Sequence, residues 1–304
     1  MTTRGTSRPR PARVRRRARG AAVVALLALL LLLADVVPGH GPRAGAGPPA
    51  ADVVPAVTGA WTVPGGTLAV ALTARLESPG GPTGRATEAH ETRLARRTAD
   101  NGDPATRPLP TASMVKLFLA EDLLHRARTG LVTLGERDWG LLQDMIRSSD
   151  DPAASELWTR FDGPRMVRDV AARYGLTGTA PPADPSQWGE TTTTARDLAR
   201  FLALLPTVAA PADATTLLVW MRTATPLAAD GFDQRFGAFG TLPGLPAVKQ
   251  GWMCCVGGVR HLHSVAVSGD RVVVLLSEVP RSVSWDRARA ALSAAAAALP
   301  PPRG

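Results

Sequence analysis

A chain of 304 residues that is 45% hydrophobic and 20% charged can bury one sizeable core or two small ones, and it is too apolar to be disordered. Its 2 cysteines, Cys254 and Cys255, are adjacent, which excludes a disulfide-stapled miniprotein and leaves no CxxC pair for a zinc module. The formal net charge of +9 is concentrated at one end: residues 1–46 hold nine Arg and one acid, Asp35, while the remaining 258 residues carry 26 basic and 25 acidic side chains. The basicity belongs to a leader, so no nucleic-acid partner is expected.

Within that leader a cationic segment, 13–19, precedes an unbroken apolar run of 14 residues, 21–34. A spanning helix needs about 20 apolar residues, so the run reads as the core of a signal peptide. An uncleaved N-terminal anchor, and hence a membrane tether, is the alternative. Ala44-Gly45-Ala46 offers a small-x-small cleavage site, and no cysteine follows the run to carry a lipid. Residues 47–65, rich in Pro, Gly and Ala, are expected as a flexible tether to an exported domain at 66–300.

The domain opens with an alternating strand, 67–76, for which 91–99 offers a partner strand. From Ser113 the apolar period lengthens. A helix runs to Gly130, a second opens on a capping box at Thr133-Leu-Gly-Glu136, and Asp151-Pro152 caps a third. Residues 166–174 form a fourth helix stopped by Gly175; Thr194 caps a fifth, and 212–221 is a sixth. Strands return at 247–253, 261–268 and 272–278, with Ser268-Gly269-Asp270 as a hairpin turn, and an Ala-rich helix at 285–299 closes the chain. The expected fold class is α/β of the α+β kind: a largely antiparallel sheet of N- and C-terminal strands flanked by helices, with a helical subdomain at about 113–242.

Of 35 basic residues only two are lysines, Lys116 and Lys249. Arg stays charged at any ordinary pH, whereas a buried Lys can lose its proton and act as a base, so the two lysines are the first places to look for chemistry. Lys116 stands in Ser113-x-x-Lys116 at the start of a helix, which puts hydroxyl and amine on one face. Lys249 stands in Lys249-Gln250-Gly251 on a strand, where Gly would let a substrate backbone approach. Between them lies Ser149-Asp150-Asp151.

These three elements, in this order, resemble S-x-x-K, S-D-N and K-T-G of the class A β-lactamases and penicillin-binding proteins. The resemblance spans residues 66–299, and it implies a serine β-lactamase/transpeptidase-like fold. It also implies roles. Ser113 would be acylated, Lys116 would be the neutral base, Ser149 would pass a proton to the leaving nitrogen, and Lys249 would attract the substrate carboxylate. Asp151, Gln250, Gly251 and Trp252 would contact substrate, with the backbone N–H groups of Ser113 and Trp252 as an oxyanion hole. No metal or other cofactor is implied. The implied partner is a β-lactam or a peptidoglycan-type peptide, bound by a monomer.

Three departures qualify those roles. Asp151 replaces the Asn expected to donate to a substrate amide, and Gln250 replaces a hydroxyl residue. The segment 174–188 lacks the E-x-x-L-N pattern whose Glu activates the deacylating water, leaving Asp184 and Glu190 as nearby carboxylates. The expectation is an exported serine hydrolase acylated at Ser113 with slow release; a non-catalytic ligand-binding module of the same fold is the alternative. Cys254 and Cys255 are expected as two buried thiols, with a vicinal disulfide, which demands a distorted backbone, as the alternative; His261 and His263, without a third ligand, are expected as structural. Trp139, Trp158, Trp188 and Trp220 are expected as core or pocket walls, and Trp252 in the cleft.

Overall fold

The computed structural model describes residues 50–77 and 81–301, so the leader expected at 1–46 lies outside the described residues. Helix α1 is Ala50–Gly59, followed by strand β1 (Thr67–Ala74), helix α2 (Glu88–Ala95) and the short strands β2 (Ala99–Asp100) and β3 (Leu109–Pro110). A 3-10 turn, Ala112–Met114, leads into α3 (Val115–Arg128), then α4 (Glu136–Arg147), α5 (Asp151–Arg160) and α6 (Gly163–Tyr174). After a loop come β4 (Thr192–Thr193), α7 (Ala195–Val208) and α8 (Pro211–Arg222). The strands β5 (Ala247–Cys254), β6 (Val259–Ser268) and β7 (Arg271–Pro280) and helix α9 (Trp285–Ala297) complete the domain.

Five strands form one antiparallel sheet in the order β2-β1-β7-β6-β5, so the first and last strands of the described residues pair with each other and β5 lies at an edge. Successive side chains on a strand point to opposite faces, and here both faces are covered. Leu68, Val70 and Leu72 of β1 join Val273 and Leu275 of β7 in a core under α1 and α9. Ala69 and Ala71 join Val272, Val274 and Leu276 in a larger core that continues into the helices between α3 and α8. The expected α+β fold class is therefore observed.

Two expectations are corrected. Residues 50–59 of the supposed tether are a helix whose Val53, Val54 and Val57 are buried against the sheet. Their spacing is an apolar helical stripe, hidden in a composition that reads as linker. The proposed strand at 91–99 is mostly α2: Thr87 opens it, and its backbone N–H donates to His90 Nδ1 at 3.1 Å. Only Ala99 and Asp100 pair with β1. Beyond them the Asn101 side chain takes the place of a strand, accepting from Val70 N–H at 2.9 Å and donating to Leu68 O at 2.7 Å.

Smaller shifts occur at helix starts. Helix α4 begins two residues later than the Thr133 box predicts: its cap is Gly135, whose N–H donates to Asp138 Oδ2 at 3.0 Å. In α5 the cap is Asp150, accepting from Ala153 N–H at 2.7 Å, which frees Asp151 for another role. Thr194 caps α7 and Gly175 ends α6 with φ 66°, both as the sequence indicates.

Candidate active site

Ser113 sits in the turn Ala112–Met114 that leads into α3, between the short β3–β4 pair and the free edge of β5. Ala112 is held at φ 46° and Ser149 at φ 55°, left-handed conformations that cost a non-glycine residue energy and mark over-determined sites. Gly251 explains how close β5 comes. A Cβ there would lie 3.2 Å from the Ser113 backbone nitrogen and 3.3 Å from Met114 Cε. The glycine expected to admit a substrate backbone thus first admits the turn that carries Ser113.

Both lysines are buried, and they converge on one hydroxyl. Lys249 Nζ donates to Ser149 Oγ at 2.7 Å and to Gln250 O at 3.1 Å. Lys116 Nζ lies 3.2 Å from the same Oγ and donates to Ser149 O at 2.7 Å and Asp151 Oδ1 at 2.5 Å. Three acceptors suit the three N–H bonds of an ammonium, so this geometry describes Lys116 in its charged form. Burial lowers its pKa from the ordinary lysine value, and the Asp151 carboxylate opposes that. Lys249 is pushed well below, first by burial and then by the charge on Lys116. Of the two amines, Lys249 is the readier to be neutral. When Lys249 is neutral its Nζ accepts the Ser149 O–H at 2.7 Å, while Lys116 donates to one lone pair of Oγ and leaves the other open.

A cleft of about 230 Å³ opens at Ser113, lined by Asp151, Gln187, Trp188, Trp252 and Met253 among others. Ser113 Oγ has no hydrogen-bond partner among the described residues, although the residue is only 5% exposed. Trp188 places its ring 5.0 Å from Lys116 Nζ, with its N–H on Ser155 Oγ at 3.1 Å. Trp252 stacks on Phe232 at 4.6 Å and donates to Asp230 Oδ2 at 3.1 Å.

Several expected residues fall elsewhere. The Gln250 side chain points away from the cleft and donates to the backbone carbonyls of Gln234 and Phe236, because strand alternation separates it from Lys249 and Gly251. Asp184 and Glu190 do not line the cleft; the Asp184 carboxylate is exposed and accepts from Ser186 N–H at 2.9 Å, which holds its pKa low. Cys254 and Cys255 are not buried thiols: they are joined by a disulfide at the exposed end of β5. Trp139 is exposed, unlike Trp158 and Trp220. Sequence reading missed Gln187, Met253 and Asp230. Met253 could have been found as a neighbour of Trp252, but Gln187 and Asp230 stand in no motif.

Of the two histidines, His263 braces the site. His263 Nδ1 accepts from Ser277 N–H at 3.1 Å, so the proton belongs on Nε2, which donates to Pro110 O at 2.9 Å. That bond ties β3, three residues before Ser113, to the main sheet.

Known structures share this arrangement of elements. A penicillin-binding protein PBP-A variant, as its acyl-enzyme with penicillin G, superimposes with a TM-score of 0.60 at 18% identity, covering 83% of this chain and 96% of that one. A β-lactamase from Chitinophaga pinensis gives 0.60 at 14% identity, with coverages of 81% and 96%. The fold is that of the class A β-lactamases and penicillin-binding proteins. By sequence, the chain is 38% identical over 208 residues to proteins named "Putative lipoprotein LppW" from Mycobacterium tuberculosis and Mycobacterium bovis, a match covering 67% of this chain. The chain spans 65% of the length of those relatives. No protein-family model matches the sequence.

Proposed function

We propose that this chain is an exported serine acyltransferase or hydrolase that is acylated at Ser113 by a strained or peptide amide and releases the acyl group slowly. The observation that carries the reading is Ser149 Oγ held at 2.7 Å by Lys249 and 3.2 Å from Lys116, beside a cleft into which an unpartnered Ser113 opens. Ser113 Oγ would bond to the carbonyl carbon as its proton passes to Lys249 by way of Ser149. The proton would then return through Ser149 to the amide nitrogen as the C–N bond breaks. The Ser113 amide, facing the open edge of β5, supports an oxyanion pocket shared with Trp252 N–H. Water would later cleave the ester and restore the hydroxyl.

Slow release is supported by what surrounds Lys116. An indole stands over its amine, and neither Asp184 nor Glu190 lines the cleft to activate water. The same observation favours the second reading, a module that holds its ligand without turnover. Export rests on the arginine-rich leader and the 14-residue apolar run, and the name of the mycobacterial relatives agrees with a place in the cell envelope.

The test is intact-mass analysis with benzylpenicillin, followed by nitrocefin kinetics. The expected outcome is a stoichiometric adduct, absent in Ser113→Ala, and a burst of one equivalent before slow turnover. No adduct would leave the binding module; fast turnover without a burst would remove the claim of slow release.

A further inference from the structure

The chemistry of the cleft wall points to the kind of ligand it admits. Its lining includes one carboxylate, Asp151, with a side chain 60% exposed, and two indoles, Trp188 and Trp252; it includes no lysine or arginine. Just beyond Trp252 stands a second carboxylate, Asp230, anchored by the indole N–H. The carboxylates of Asp150, Asp151 and Asp230 all act on Lys116, and of these only Asp151 is bonded to it, through Oδ1. Lys116 already has three acceptors, and Lys249, only 1% exposed, is held on Ser149 Oγ and Gln250 O.

Three arginines that an anionic ligand would need are engaged in ion pairs. Arg235 pairs with Asp233 at 3.1 Å, Arg107 with Glu278, and Arg289 with Asp286. Gln250, which stands where an anion-binding hydroxyl is expected, is turned into the core. Aromatic faces beside an exposed carboxylate attract ammonium and guanidinium groups and repel carboxylates.

We infer that the cleft at Ser113 selects amides bearing a positive charge near the bond attacked, such as a peptide with a basic side chain, over anionic ones. The inference rests on the acyl-transfer reading for the identity of the bond, but not for the charge it predicts. The unpartnered, 5%-exposed Ser113 hydroxyl marks where that bond would lie. Asp151 and Asp230 are the specificity-determining residues.

The experiment uses the full chain carrying Ser113→Ala, so that no acylation occurs, and titrates tryptophan fluorescence with three probes of matched size: phenethylammonium, phenethyl alcohol and phenylpropionate. Phenethylammonium should bind roughly tenfold more tightly than the alcohol, with phenylpropionate weakest. The preference should fall several-fold in Asp151→Asn. It should also fall in Asp230→Asn, an exposed position that keeps the test valid if the first variant misfolds. Equal binding of alcohol and ammonium, tighter binding of the carboxylate, or a preference unchanged in the folded variants would overturn the inference. An ammonium preference supports it whether or not penicillin acylates Ser113; its absence overturns it even where acylation occurs.

Discussion

At the scale of single residues, the lysines show why one cation cannot replace the other. Lys116 and Lys249 are almost completely buried, at 0% and 1% exposure, in a chain whose other basic residues are all Arg. A guanidinium at either place would need room for a planar fork where an amine is packed, and at Lys249 it could neither accept a proton from Ser149 nor return one. Lys249→Arg should therefore cut the rate of acylation by about 100-fold or more, the range ordinarily lost with a general base, and Lys116→Arg should do likewise. Arg196→Lys, at an exposed ion pair with Asp100, should change nothing. Stopped-flow or gel-based labelling with a fluorescent penicillin reads these rates, and circular dichroism checks folding. Lys249→Arg acylated at the parental rate would remove the amine from the proton path. It would then be a purely structural contact.

At the scale of elements, the part of the site legible in the sequence was the part written in local spacing. Ser113 lies in the 3-10 turn that runs into the helix carrying Lys116, and Thr194 and Gly175 punctuate helices by their own chemistry, so short-range rules place them. What the sequence hid depends on tertiary packing. Nothing local says that Gln250 will turn inward, that Trp188 will stand over Lys116, or that Asn101 will replace a strand with its amide. The histidine pair is of that kind, and it makes a prediction. His263 is buried and its pKa is pushed down to about 4 by burial first and then by His261, against an ordinary 6.5; Glu278 opposes, and Arg107 lies beyond it. The unfolded chain thus takes up a proton below about pH 6.5 that the folded chain refuses until about pH 4. Stability from this residue is present above that window, is lost as pH falls through it, and levels off below, a change of about 3 kcal/mol. Chemical denaturation at pH 7 and pH 4.5 should show that loss, and His263→Asn should be less stable at pH 7 but flatter with pH. An unchanged slope in the variant would mean that other groups carry the acid sensitivity.

For the whole molecule, the sheet is a partition between two cores, and the site draws on both, mostly on the larger, with Trp252 packed against the smaller. The larger core joins the sheet to the helix that carries Lys116 and to the helices that flank Ser113 and Ser149. The smaller is sealed by α9 and by α1, the element that sequence composition disguised as a tether. Val53, Val54 and Val57 of α1 are each under 10% exposed. Burial of a valine side chain stabilises by about 1.5 kcal/mol or more, so loss of all three should cost several kcal/mol, less what a compact unfolded chain already buries. A chain beginning at Pro49 should therefore match the full chain in stability and acylation. One beginning at Gly66 should melt lower by roughly 5–10 °C or more and expose Leu68 and Val70, binding a hydrophobic dye that the longer chain does not. Differential scanning fluorimetry of the two chains decides the matter. Equal melting temperatures would mean that α1 contributes nothing, and that the mature domain begins at β1 as its composition suggests.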